Sequence, residues 1–421
     1  MRSYADLFGH PDARWPLMTS TVARLPQGMI ILALVYALRE GAYTYTAVGL
    51  VTAGHQIGVG LASPVQGRLA DSFGQPQVLI PDALLYLAGT VALALSATAG
   101  AAVPLLVVLA VVTGVFLPPV GACSRVLMSR LFPSGRLRET AFAVTAIAVE
   151  IGYILGPLLA VAVAFTIGAK WAVVLAGVAA AVGSIGYGST RAARAVPKRD
   201  RALVRTGALR SPGVRLMVIA FAAIAVAFGV FDVVVPAVAE FAGRPQAAAW
   251  LISAVAAGSL LGGLVYGSRS WPGEAVTRLR VLSAVFTLGL LVLPVSTGSL
   301  PLFAAGLFVS GVFLAPTTIT AFQLIDDLAI RGTQTEAQSW TQSAIVLGVA
   351  LGMALAGSAV DLGGSASAFL AGAACVGVGV VVINLGRGVL AAPPGQGPDD
   401  VEAAVSRPRA AGRRGTRRAR R

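Results

Sequence analysis

The sequence is dominated by apolar runs of about 18 to 25 residues, a length that lets a helix cross the hydrocarbon core of a bilayer. They fall at 17–38, 47–69, 78–98, 102–124, 140–166, 171–190, 214–238, 246–268, 280–297, 301–325, 336–360 and 366–388, with charged or Gly/Pro-rich breaks between them. None alternates apolar and polar residues with a period of two. Strands are therefore not expected, because in lipid only helices or closed barrels satisfy the backbone. The fold class expected is an all-α integral membrane protein with 12 transmembrane helices. Only 12% of the 421 residues are charged and 56% are hydrophobic, with a mean hydropathy of +0.81. Soluble domains carry roughly 25% charged residues, so an ordinary soluble enzyme is excluded.

The net charge of +14, from 32 Lys and Arg against 18 Asp and Glu, would suit a nucleic-acid binder if the basic residues formed a patch. They lie between the apolar runs instead, and no nucleic acid is expected as a partner. With the N-terminus placed inside, 27 basic residues fall on inner segments and three, Arg39, Lys170 and Arg244, on outer loops. Retention of Lys and Arg in cytoplasmic loops makes both termini cytoplasmic. Trp15, Trp171 and Trp271 fall at run ends, as an interfacial belt requires. Residues 1–16 carry Arg2, Asp6, Asp12 and Arg14 before any apolar stretch, a pattern unlike a signal peptide. Cys123 and Cys375 both lie inside apolar runs, and neither a disulfide nor a metal site is expected.

The two halves of the chain resemble each other at a shift of about 196 residues. Thr113-Gly114-Val115-Phe116-Leu117-Pro118-Pro119 recurs as Ser310-Gly311-Val312-Phe313-Leu314-Ala315-Pro316. Glu139 matches Glu336, Gly152 and Gly156 match Gly348 and Gly352, and Ser63 and Gly67 fall on Ser259 and Gly263. The expected organisation is a cytoplasmic N-terminus at 1–16, a six-helix bundle at 17–190, a cytoplasmic linker at 191–213, a second six-helix bundle at 214–388 and a disordered Arg-rich cytoplasmic tail at 389–421. Duplicated six-helix halves bind substrate between them near the bilayer midplane and rock to expose it to either side.

With these features the sequence resembles the major facilitator superfamily (MFS) over about residues 15 to 388. Gly67-Arg68-Leu69-Ala70-Asp71-Ser72-Phe73-Gly74-Gln75-Pro76, read as the loop between helices two and three, looks like the family's G-x-L-x-D-R-x-G-R-[RK]. Gly67, Asp71 and Gly74 match, while Ser72, Gln75 and Pro76 stand where the family has basic residues. The resemblance implies that Asp71 latches one conformation against the N-terminal dipole of helix eleven. In helix five, Gly152-Tyr153-Ile154-Leu155-Gly156-Pro157 is similar to the exporters' G-x3-G-P, and lacks the glycine pair that trails it. Gly152, Gly156 and Pro157 form either a hinge or ordinary close packing.

An ionisable group at the bilayer centre costs at least roughly 2.5 kcal/mol, so each needs a partner, water or a task. Glu150, near the middle of helix five, is either a proton-coupling or substrate-cation group or a structural partner of a neighbour. Arg24 either pairs with Glu150 or snorkels toward the cytoplasmic headgroups. Asp232 reads as a gate or an interfacial charge, and His55 as a proton carrier or a packing residue. Gln27, Gln323, Trp340 and Gln342 offer polar or aromatic handles to an amphipathic ligand. No nucleotide, metalloprotease or nucleophile motif occurs, so neither enzymatic activity nor a cofactor is expected.

The expected function is secondary active transport of a small organic molecule by a monomer in a bacterial inner membrane, as efflux coupled to protons. An importer on the same fold, and a membrane sensor or assembly protein that binds without transporting, remain open alternatives.

Overall fold

A computed structural model of the chain describes residues 2–132, 136–196, 207–267, 271, 273–330 and 334–391. Every regular element among the described residues is helical. After a short helix at Arg2–Gly9, the long helices are α1 (Pro11–Glu40), α2 (Tyr45–Phe73), α3 (Gln75–Thr98), α4 (Val103–Leu131), α5 (Arg136–Thr166) and α6 (Ala169–Gly188). A short helix at Arg191–Arg194 and a helical turn at Ala208–Arg210 precede α7 (Pro212–Phe241), α8 (Ala247–Gly267), α9 (Ala275–Ser296) and α10, made of Leu300–Val312 and Leu314–Leu328. The last long stretch, Gln334–Leu385, holds 52 residues and would be about 78 Å long as one rod, more than twice a bilayer core. Gly364, at φ 75 and ψ −173, breaks it into α11 and α12.

The helix starts follow from capping chemistry. Proline stands in the first turn of α1, α3, α4, α7 and α10, where its missing N–H costs nothing. The Thr44 hydroxyl accepts from the Ala47 N–H at 3.2 Å and caps α2. Among the described residues, ten stretches are long and apolar enough to span by composition alone. The stretch at Trp340–Leu385 supplies two crossings, and α2, with His55 and Gln56 inside it, is not among the ten.

Several boundaries differ from expectation. The second helix continues through Asp71 to Phe73 and the third starts at Gln75, so Gly74 alone forms the turn there, at φ 104. Helix four runs on to Leu131 after a break at Pro118 and Pro119, since consecutive prolines remove two ladder donors. In α10 Ala315 replaces the first proline, and only Phe313 interrupts the helix. The first long helix begins at Pro11, inside the segment read as the N-terminal arm. The expected tail, apart from its first residues, lies outside the described residues, as do 197–206 of the expected linker.

Glycines set the helix crossings, and they repeat. Gly156 packs on the backbone of Gly28 and Met29 and Gly152 on the Arg24 carbonyl, joining α5 to α1. Gly352 on the Val226 carbonyl and Gly348 on the Ala222 carbonyl join α11 to α7 in the same way. No side chain fits between backbones this close, which is why small residues four apart mark membrane crossings. Gly58 against Val111 and Gly114 against His55 join α2 to α4, and Gly258 against Phe308 and Gly311 against Val255 join α8 to α10. This last correspondence pairs residue 58 with 258. The sequence match of Ser63 and Gly67 with Ser259 and Gly263 is thus displaced by about one turn.

Candidate functional site

The two central helices are enclosed at one end only. In α1 every residue from Met29 to Leu38 is buried, whereas Trp15, Met18, Val22 and Gln27 are exposed. In α7 every residue from Val233 to Ala239 is buried, whereas Arg215 and Ile219 are exposed. The halves are closed together at the end away from the 191–213 segment, here the distal end, and parted toward the linker.

Side-chain bonds hold the distal closure. The Arg39 Nη2 donates to Glu240 Oε1 at 2.6 Å, linking the last turn of α1 to that of α7. The Tyr45 hydroxyl donates to Glu240 Oε2 at 2.8 Å, and the Tyr36 hydroxyl donates to the Pro245 carbonyl at 2.6 Å. Asp361 of α11 accepts from the backbone N–H groups of Tyr45 at 3.0 Å and Thr46 at 2.6 Å, capping α2 across the halves. Neither Glu240 nor Asp361 stood out in the sequence, because their partners are 201 and 316 residues away.

Helices α2 and α11 run antiparallel in constant register, meeting at Tyr45 with Asp361, Gly49 with Gly357, and Gly60 with Val346. Asp71 stands in the exposed last turn of α2, eleven residues beyond the Gly60–Val346 contact. Among the described residues nothing lies within 4 Å of where a side chain at Gly67 would begin.

On the linker side, Arg24 is 2% exposed and sits between α1, α4 and α5. Its Nη2 donates to the Gly121 carbonyl at 3.4 Å, its Nε has no partner among the described residues, and Gly121 packs directly beside the guanidinium. Arg125 follows Gly121 by one turn of α4 and is exposed. Gln27, Gln323, Trp340 and Gln342 are exposed on α1, α10 and α11. Glu150 lies on α5 within one turn of the Gly152 crossing, and its side chain is outside the described residues. Pro157 is buried next to Gly156 in an unbroken helix.

His55 is placed elsewhere. It is 1% exposed, inside the first half, with its Nε2 3.5 Å from the Tyr86 hydroxyl on α3. Asp232 is half-buried in α7, nine residues before the helix ends, and makes no hydrogen bond among the described residues. A further acid, Asp82, escaped attention although it stands inside the apolar run at 78–98. It accepts from Gln66 Nε2 at 3.0 Å beside a cavity of about 400 Å³ lined by Leu69, Phe73 and Pro81.

The Major Facilitator Superfamily sequence profile matches residues 17–335. The chain belongs to that family. It is a multi-pass membrane protein with the MFS transporter fold, and solved structures agree. The nucleoside transporter NupG, solved as a point mutant, superposes with a TM-score of 0.73 at 13% identity, covering 89% of this chain and 99% of NupG. A bacterial homologue of the human lysosomal transporter Spinster gives 0.66 at 14%, covering 92% and 96%. The peptide transporter POT, also solved as a point mutant, gives 0.68 at 16%, covering 91% and 96%. No curated protein matches the sequence.

Proposed function

We propose that this MFS protein is a monomeric secondary transporter of a bacterial inner membrane, exporting a small organic molecule in exchange for protons, with both termini in the cytoplasm. The observation that carries the reading is the one-sided closure: halves bonded through Arg39, Glu240 and Asp361 at the distal end and parted toward the linker. A transporter working by alternating access passes through such a state, with its site open to the cytoplasm. Glu150 is the proton carrier, and Arg24, Gln27, Gln323, Trp340 and Gln342 face the substrate. Gly152, Gly156 and Pro157 form the pivot between α5 and α1. Asp71 is the linker-side latch, and Asp71→Asn should slow turnover without impairing insertion. Asp232 carries a second exchangeable proton, whereas the packing of His55 against Tyr86 supports a structural role.

The test uses everted membrane vesicles from an expressing strain, energised to acidify their interior. Compounds from a panel are added, and collapse of the pH gradient is followed by a fluorescent amine. Collapse and solute accumulation that both require the protein are expected. Solute loss from the vesicles on energisation selects the importer, and saturable binding without flux of any compound selects the sensor.

A further inference from the structure

Arg24 poses an electrostatic problem that its surroundings leave open. A guanidinium brought into a membrane bundle is costly unless an anion or several acceptors receive it. Among the described residues Arg24 has one long bond to a carbonyl and an orphaned Nε, with no carboxylate on it. A second cation, Arg125, stands on α4 one turn from the glycine beside the guanidinium and acts on it electrostatically. Two cations close enough to interact raise each other's need for an anion. Gly121, without a side chain, lies within van der Waals distance of the guanidinium, and Arg125, one turn on, is exposed.

We infer that Arg24 and Arg125 form an oxyanion site, so that the transported solute carries a carboxylate or phosphate group. This deepens the transporter reading and rests on it. A planar fork with free N–H donors suits such groups, which accept two parallel hydrogen bonds, and a neutral isostere cannot replace them. The neutral handles Gln27 and Trp340 on the exposed faces of α1 and α11 then receive the uncharged body of the molecule. The same oxyanion chemistry is offered by an anionic lipid headgroup, and the test separates the two sources.

The purified full chain in a neutral detergent is titrated by thermal unfolding with benzoate and with benzamide, its uncharged isostere. Benzoate is expected to raise the unfolding temperature of the wild type and benzamide to leave it unchanged. Arg24→Gln and Arg125→Gln should each weaken the benzoate effect about tenfold or more, the span of one charge-assisted hydrogen bond. Arg24→Lys, which keeps the charge and loses the fork, should retain part of it. Equal effects of the two probes, or an unchanged response in Arg24→Gln, overturn the site. Stabilisation by phosphatidylglycerol alone, abolished in Arg24→Gln while benzoate does nothing, assigns the site to lipid and overturns the solute reading. Benzoate stabilisation seen only in Glu150→Gln makes Arg24 the structural counter-ion of Glu150 and overturns it as well. Binding is measured without a gradient, so loss of transport activity and loss of the anion site are read separately.

Discussion

Asp361 binds the start of α2 rather than its own helix, accepting the Tyr45 N–H at 3.0 Å and the Thr46 N–H at 2.6 Å. Caps of this kind are worth about 1 kcal/mol, and removing the carboxylate leaves two first-turn donors to water. Asp361→Ala should shift the distal end toward opening about fivefold. The measurement is the rate of maleimide labelling of Leu38→Cys, buried here, with Cys123 and Cys375 replaced by serine. An unchanged rate rejects the cap as a gate element.

Arg39 and Glu240 are 27% and 31% exposed at their side chains, so their attraction is screened and worth about 0.5–1 kcal/mol. Arg39 also donates to the Tyr43 carbonyl at 2.6 Å and lies 4.5 Å over the Tyr45 ring. Arg39→Gln and Glu240→Gln should each speed distal labelling, and the double mutant should be no faster than the faster single. Additive effects would show that the two residues act independently.

Gly156 and Gly352 carry equivalent backbone crossings, while Gly67 has nothing close to it among the described residues. Gly156→Leu and Gly352→Leu should each destabilise by about 1–3 kcal/mol through overpacking, lowering the unfolding temperature of purified protein. Gly67→Ala should leave that temperature unchanged, so any transport defect it causes reports on motion rather than on folding.

Glu150→Gln preserves shape and removes the exchangeable proton. Uphill flux driven by a pH gradient should be lost in proteoliposomes, while downhill exchange of labelled for unlabelled solute continues. Uphill transport by this variant moves the coupling role to another acid, and Asp232 is the next to substitute.

The helices were legible because each must be apolar over a bilayer thickness, a constraint that a single sequence states directly. The crossings at Gly152 and Gly156 were legible for a related reason, since backbone contact demands small residues at fixed spacing. The distal gate was not. Arg39 reads as a loop charge until folding brings Glu240, 201 residues on, within 2.6 Å, and no local pattern encodes that meeting. Asp361 likewise looks like a charge near a helix end until α2 arrives beneath it. The repeat was read correctly in α5 and α11 and one turn out in α2 and α8, where a strongly biased composition lets glycine and serine coincide at more than one offset.

Gly364 joins α11 to α12 through a single residue, three positions after Asp361, and the Ser367 hydroxyl lies 2.6 Å from the Ala359 carbonyl and 2.7 Å from that of Gly364. One residue and two hydrogen bonds hold this hairpin short. Freeing the α2 cap is therefore expected to carry α12 along, moving its exposed Leu370, Val378 and Val381 through acyl chains. The rate of opening is therefore expected to depend on the fluidity of the surrounding membrane as well as on the strength of the bonds themselves.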